Sequence, residues 1–264
     1  MKLSGNLHKM STTLAEEVKY ELTLNGERLV VNDLIGQHIT IRFAGVIHCK
    51  KCGRETKKSF SQGFCYPCFK NAPEASACII KPELCRGHLG EGRDSAWEKA
   101  NHVQAHIVYL AVASAVKVGV TRSVQAPGRW IDQGASYAIK LAETPNRYLA
   151  GLLEVELKQH FTDKTNWRKM LKNEVLKIGL LQEKKRALNL LIGEMRQYES
   201  LDNEIFVIKY PVLHYPTKIK SVSLDKTNEF SAKLLGIKGQ YLLFDSEQVF
   251  NVRKYSGYLI ELTA

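Results

Sequence analysis

Two short apolar runs near the middle of the chain, residues 107–113 and 116–121, flank Ser114-Ala115 and predict a tight β-hairpin. Side chains alternate between the two faces of a strand, so the pattern defines two faces. One face is wholly aliphatic: Val108, Leu110, Val112, Val116, Val118 and Val120. The other face mixes polar and small residues: Tyr109, Ala111, Lys117, Gly119 and Thr121. The first face is typical of a core. The second favours a site, with Tyr109 expected opposite Gly119.

The residues after the hairpin predict a third strand over 136–142 and then a helix over 145–161. The apolar side chains of this helix recur at helical spacing: Leu149, Leu153, Leu157 and Phe161. Glu154 lies beside this stripe, and the small residues Ala150 and Gly151 precede it. Small residues let a helix approach a sheet closely, so we expect Glu154 to be partly buried and near Tyr109. A partly buried carboxylate requires a cation, either Mg²⁺ or an arginine.

A long helical region is predicted from Trp167 to Tyr198, and Asp163 or Thr165 is expected to cap its start. Basic side chains crowd its polar sides: Lys169, Lys172, Lys177, Lys184, Lys185 and Arg186. Such a run is usually a solvated face, and beside a binding sheet it can also steer nucleic acid.

Both ends of the chain carry β patterns, over residues 1–48 with an Asn25-Gly26 hairpin turn and again over 205–264. We therefore expect an α+β fold, in which a small central antiparallel sheet with flanking helices is bracketed by two β segments that form one small barrel. The predicted boundaries are an N-terminal β segment (1–48), a region that contains all the cysteines (49–101), a central domain with the long basic helix (102–200) and a C-terminal β segment (201–264).

All six cysteines lie between residues 49 and 85. The first four form a C-x2-C-x12-C-x2-C pattern: Cys49, Cys52, Cys65 and Cys68. Each C-x2-C turn can place two thiolates on adjacent corners of a tetrahedron, which predicts a structural zinc site. A redox disulfide pair is the alternative, and it is disfavoured because two such motifs occur together.

The remaining cysteines form a second set, C-x6-C-x2-H, with Cys78, Cys85 and His88. Three ligands require a fourth, and His102 or His106 is the candidate. The set predicts a second zinc site. A buried cysteine pair with a hydrogen-bonded histidine is the alternative.

The formal net charge of +11 over 264 residues makes a polyanionic partner, above all a nucleic acid, more expected than for an average chain. The 44% apolar content is ample for a core. No stretch approaches the ~20 apolar residues of a membrane span. The first residues also lack the apolar segment of a signal peptide. We therefore expect a cytoplasmic protein with reduced thiols and no membrane partner.

The motif Ile107-Val108-Tyr109, followed by Lys117-Val118-Gly119, an arginine and a helical glutamate, resembles the GIY-YIG nuclease superfamily over about residues 106–170. It is closest to the branch whose second motif begins with lysine. The whole chain also resembles an uncharacterised bacterial family that joins such a segment to cysteine-rich fingers. The resemblance implies a divalent-metal-dependent endonuclease.

In that superfamily a motif tyrosine and an arginine assist attack of water on a phosphodiester, and a helical glutamate holds one Mg²⁺ or Mn²⁺. By motif these are Tyr109, Arg129 and Glu154, with Lys117 as a further catalytic residue in place of the second motif tyrosine. Five residues are expected to contact nucleic acid: Arg122, Gln133, Asn166, Lys169 and Lys172. Two other functions stay open, a non-catalytic zinc-containing nucleic-acid-binding protein and a protein-interaction scaffold.

Overall fold

The computed structural model describes residues 1–162 and 164–264, which fall into two units. The first unit is discontinuous and combines Met1–Lys70 with Lys209–Ala264. The second unit is the continuous segment Asn71–Ile208 between them. The four cysteines of the first pattern thus belong to the first unit, and the second set belongs to the second unit.

Within the described residues the strands are β1 (Lys2–Asn6), β2 (Ser11–Thr13), β3 (Lys19–Leu24), β4 (Glu27–Val30), β5 (His38–Ile47), β6 (His106–Val112), β7 (Val116–Arg122), β8 (Tyr137–Thr144), β9 (Phe206–Val207), β10 (Lys220–Ser221), β11 (Glu229–Lys238), β12 (Tyr241–Phe244), β13 (Gln248–Asn251) and β14 (Tyr258–Thr263). The α-helices are α1 (Tyr66–Asn71), α2 (Ser95–His102), α3 (Gly128–Asp132), α4 (Arg147–Leu157), α5 (Trp167–Leu171) and α6 (Leu180–Leu190). The fold is α+β, as the pattern predicts.

The first unit contains a seven-stranded sheet in the order β1-β14-β5-β11-β12-β13-β10, and a three-stranded sheet in the order β2-β3-β4. The N- and C-terminal β segments therefore combine into one sheet, with β5 between β14 and β11. The expected closed barrel is wrong, because within the described residues β1 and β10 are the outer strands of an open order. Alternating hydrophobicity defines which face of a strand is buried, but it does not determine whether a sheet closes.

The second unit is built on a four-stranded sheet in the order β7-β6-β8-β9. The predicted hairpin is confirmed with its register, because Tyr109 pairs with Gly119 and Ala111 with Lys117. The predicted third strand is also confirmed, since β8 pairs antiparallel with the other side of β6.

Both faces of this sheet are buried. The aliphatic face, including Val108 and Val118, forms a core with Leu153 and Leu157 of α4. The mixed face, which the pattern assigns to a site, is covered by α3, whose Trp130 is fully buried with its ring centroid 5.8 Å from that of Tyr109.

The long helix predicted over 167–198 is interrupted. After α5 the chain adopts a left-handed conformation at Asn173 (φ 58°), and α6 begins only after Gly179. Asn166 caps α5 through a hydrogen bond from the Lys169 N–H, while Asp163, one of the two expected caps, lies outside the described residues. Lys184, expected on a solvated side, is buried and donates to the carbonyls of Ser200 and Asp202 at 2.7 and 2.6 Å.

Candidate metal centres and the Tyr109 cluster

The first four cysteines converge in the first unit. The sulfur atoms of Cys49, Cys52, Cys65 and Cys68 all lie within 4.8 Å of one another, and those of Cys52 and Cys65 are 3.8 Å apart. A tetrahedron with Zn–S bonds of about 2.3 Å has S···S edges of about 3.8 Å. The group therefore fits a zinc ion, as the spacing predicts.

Local backbone structure creates this geometry. The Gly53 N–H donates to the Cys49 carbonyl (2.8 Å), and Gly53 has the left-handed φ of 70° that this turn requires. Phe60 and Phe64 exchange backbone hydrogen bonds and form the hairpin that brings Cys65 towards Cys49.

The thiols of this group differ in acidity. Burial raises the pKa of Cys49, but backbone N–H groups of Cys65, Cys52 and Lys51 outweigh it and lower the pKa to about 6. The pKa of Cys68 is raised to about 12 by loss of solvent and by its hydrogen bonds with the other thiols. Four adjacent sulfurs cannot all ionise without a cation, which is what zinc supplies.

The second group lies in the second unit and consists of four buried residues: Cys78, Cys85, Glu98 and His102, with ligand atoms within 4.8 Å of one another. The Nδ1 atom of His102 is 3.5 Å from the Cys85 sulfur and 3.9 Å from the Cys78 sulfur. These separations are close to the S···N edge of about 3.5 Å that a tetrahedral zinc site with two thiolates and one imidazole requires. This group also fits a zinc ion.

The ligand set differs from the one expected from sequence. His102 is in the group, whereas His88 and His106 are not. The His88 ring stacks on Tyr148 with 4.6 Å between ring centroids, and His106 Nδ1 bonds the Gln104 carbonyl at 2.7 Å. Burial lowers the pKa of His106 to about 4, so this ring is neutral at physiological pH. The fourth residue is Glu98, whose carboxylate contacts Nδ1 of His102 one turn along α2.

The loop that carries this group packs directly on α4. Arg147, the first residue of α4, donates from its guanidinium to the carbonyls of Cys78 and Ile79, both at 2.9 Å. At Gly151 an added Cβ atom would lie 2.2 Å from the backbone nitrogen of Glu83. The absent side chain therefore allows loop and helix to touch, on the helix that carries Glu154.

The Tyr109 side chain lies at the centre of a second cluster. Its hydroxyl donates to the Gln133 side-chain oxygen at 3.0 Å, and the Arg129 guanidinium lies near it. Burial raises the pKa of Tyr109, while Arg129 opposes this effect and the charge of Glu154 adds to it. The side chains of Tyr109, Arg129 and Glu154, which the GIY-YIG resemblance names, are therefore near one another.

Glu154 is 8% exposed. Its buried Oε2 atom forms an ion pair with the Lys158 ammonium at 3.5 Å and accepts no other hydrogen bond from the described residues. Burial raises the pKa of Glu154, Lys158 and Arg147 lower it, and the nearby carboxylate of Glu83 raises it further. The Oε2 oxygen of Glu83 is also buried, and no other described residue forms a hydrogen bond with it. This arrangement suits an added cation.

Two expectations about this cluster change. Tyr109 is 0% exposed and its pKa is raised, so its phenol is a hydrogen-bond donor at neutral pH and not a base. Lys117 is 5% exposed, so its ammonium is not a surface contact for a phosphate.

Most of the residues expected to bind nucleic acid have partners within the protein. Gln133 is in the Tyr109 cluster, and Arg122 donates to the Asn101 side chain. Asn166 caps α5, and Lys172 pairs with Glu174 at 2.6 Å. Lys169 is exposed.

Three residues of these sites were not singled out from sequence: Glu83, Glu98 and Arg147. The spacing of Glu98 four residues before His102 was the available signal, because i and i+4 side chains share one helix face. Chemically, the second unit thus presents a buried carboxylate, a guanidinium and a phenol close together, with a metal-ligand group on the loop beside them.

None of the helices in the described part of the chain is long and apolar enough to cross a membrane. No curated protein and no solved structure gives a significant match to this chain. A family model described as a protein of unknown function, DUF2797, matches residues 36–260. The chain therefore belongs to the DUF2797 family.

Proposed function

We propose that this protein is a zinc-containing, divalent-metal-dependent endonuclease that hydrolyses phosphodiesters of nucleic acid. The observation that carries the proposal is the gathering of Arg129, Tyr109 and Glu154 from three separate elements of the second unit. The resemblance of residues 106–170 to the GIY-YIG superfamily and the net charge of +11 support it.

Each side chain has a distinct part in the proposed reaction. Glu154, whose buried Oε2 oxygen pairs with the Lys158 ammonium, and Glu83 near it would hold Mg²⁺ or Mn²⁺. When bound, such an ion polarises a phosphate oxygen and makes a bound water more acidic. Arg129 stabilises the negative charge that grows on the phosphate. Tyr109, which donates a hydrogen bond to Gln133, lies beside Arg129 and helps to hold its guanidinium in position.

Zinc has a structural part in this proposal. Four protein ligands saturate the ion in each cysteine group and leave no position for a reacting water. The second group would hold the loop against α4 and so fix the helix that carries Glu154.

The test is a cleavage screen of the full chain over linear and branched DNA and RNA with Mg²⁺ or Mn²⁺. Glu154→Gln and Arg129→Ala are expected to lower the rate at least about 100-fold. The matched control is Glu156→Gln on the same helix, which should keep the rate. Cleavage that persists unchanged in Glu154→Gln would contradict the proposal.

One observation favours a second candidate, a non-catalytic nucleic-acid-binding protein. Tyr109 is fully buried and Glu154 nearly so, which restricts access of a phosphate. Binding of nucleic acid without cleavage under any divalent metal would favour this second function.

A further inference from the structure

The segment 49–70, hereafter the knuckle, concentrates positive charge. It holds six basic residues against the single acid Glu55: Lys50, Lys51, Arg54, Lys57, Lys58 and Lys70. Its net charge is +5 in 22 residues, out of +11 for the whole chain. All of these basic residues are exposed. A phosphate backbone is the polyanion that such a density of charge attracts most strongly.

The knuckle also presents aromatic rings at its surface. Tyr66 is 56% exposed, and its ring meets the edge of Phe60 with 5.4 Å between centroids. Phe60 in turn stacks on Phe69 at 5.8 Å, and both are half-buried. The Lys58 ammonium lies 5.4 Å from the Phe60 ring centroid. The three aromatic rings and Lys58 therefore contact one another in a chain, and Lys57 precedes Lys58 directly in the sequence.

Backbone turns and the Lys50 side chain support the fold of the knuckle. The cysteine group is held by backbone turns, and the Lys50 side chain braces the hairpin by donating to the Gln62 carbonyl at 2.9 Å and lying over Phe64. Lys57, Lys58 and Tyr66 point outward instead. A large exposed ring bordered by cations is the combination that single-stranded nucleic acid uses, with bases on the ring and phosphates on the cations.

We propose that the knuckle binds single-stranded nucleic acid, with an unpaired base stacked on Tyr66 and the adjoining phosphates paired with Lys57 and Lys58. This inference deepens the proposed function and rests on its nucleic-acid partner, but it involves none of the side chains proposed for cleavage. A duplex fits the surface less well, because its bases are already stacked on one another.

The experiment measures fluorescence anisotropy of a labelled 20-nucleotide single strand with the full chain carrying Glu154→Gln, without added divalent metal. Cleavage then cannot affect the signal. Tyr66→Ala is expected to weaken binding about 5- to 150-fold, whereas Tyr66→Phe keeps the ring and the affinity. The pair Lys57→Ala/Lys58→Ala should reduce the salt slope of log K by about 1.4. The control pair Lys226→Ala/Lys233→Ala, also exposed in the first unit, should not.

Zinc content per chain is measured for every variant, so that a loss of binding with unchanged zinc assigns the effect to the surface. Equal affinity of Tyr66→Ala and the unsubstituted knuckle would overturn the inference. So would binding to phosphatidylserine vesicles that exceeds binding to the oligonucleotide and falls in the same variants. Binding that follows these expectations in a chain that cleaves nothing would leave the inference standing and remove the proposed endonuclease.

Discussion

Tyr109 and Gly119 face each other across the β6–β7 hairpin, and an added Cβ at Gly119 would lie 2.7 Å from the Tyr109 hydroxyl oxygen. The phenol therefore occupies the space that any other residue at position 119 would fill. Since Tyr109 is fully buried, it cannot move aside at little cost.

Gly119→Ala is accordingly expected to destabilise the protein by about 1–3 kcal/mol through overpacking. It should also break the hydrogen bond between Tyr109 and Gln133. Urea unfolding checks the first effect. The double variant Tyr109→Phe/Gly119→Ala removes the oxygen but keeps the ring carbon Cζ, which would lie 2.8 Å from the added Cβ, so it should recover only a small part of the loss. If Gly119→Ala leaves the free energy of unfolding unchanged, the phenol of Tyr109 has room to shift.

Glu98→Gln is expected to weaken zinc binding at the second group at least about 10-fold, because a neutral amide replaces the carboxylate ligand beside His102. His88→Ala, which removes a ring stacked on Tyr148, should leave affinity and zinc content unchanged. Competition with a chromogenic chelator measures both. Weaker zinc binding in His88→Ala, with unchanged binding in Glu98→Gln, would instead identify His88 as the ligand, as the C-x6-C-x2-H spacing indicates.

Gly151→Ala tests the contact between the second metal loop and α4. The added methyl group would meet the backbone of Glu83 and Pro82 at 2.2 and 2.4 Å, which outweighs the gain of about 1 kcal/mol in helix propensity. We expect lower stability together with weaker zinc binding at the second group. Gly179→Ala is the control, because its Cβ would meet only the end of the Gln182 side chain, at 3.2 Å.

Glu154→Gln should stabilise the protein at neutral pH when no divalent metal is added. Burial raises the folded-state pKa of Glu154 above its unfolded value, so its ionised form disfavours folding at high pH. The gain from the substitution should shrink as the pH falls through the folded pKa and vanish below about 4, the unfolded value. Urea midpoints across this range, compared with Glu156→Gln, measure it. A substitution that destabilises at pH 7.5 would mean that Lys158 already compensates the charge.

The hairpin register and the first cysteine group could be predicted from sequence, because both depend on spacings between residues that are close together in the chain. Alternation in β6 and β7 determines which residues pair once the turn at Ser114 is located. Two C-x2-C turns determine four ligands in the same way.

The remaining differences depend on contacts between distant residues. The burial of Tyr109 depends on how α3 places Trp130 against it, and nothing in the period-two pattern of β6 encodes that packing. In the sequence Glu98 has no feature that distinguishes it from other helical glutamates. Its role depends on the loop with Cys78, which lies beside it only in the folded chain. The interruption after α5 depends on one left-handed residue, Asn173, for which an apolar stripe gives no signal.

The discontinuity of the first unit has a consequence for synthesis on the ribosome. Strand β5 takes its partners from β11 and β14, which are translated roughly 200 residues later. At about 5–20 residues per second, β5 stays without these neighbours for about 10–40 s, while the continuous second unit can already fold. A ten-residue strand with two bare edges is prone to aggregate during that interval, so the nascent chain is a predicted client of holding chaperones.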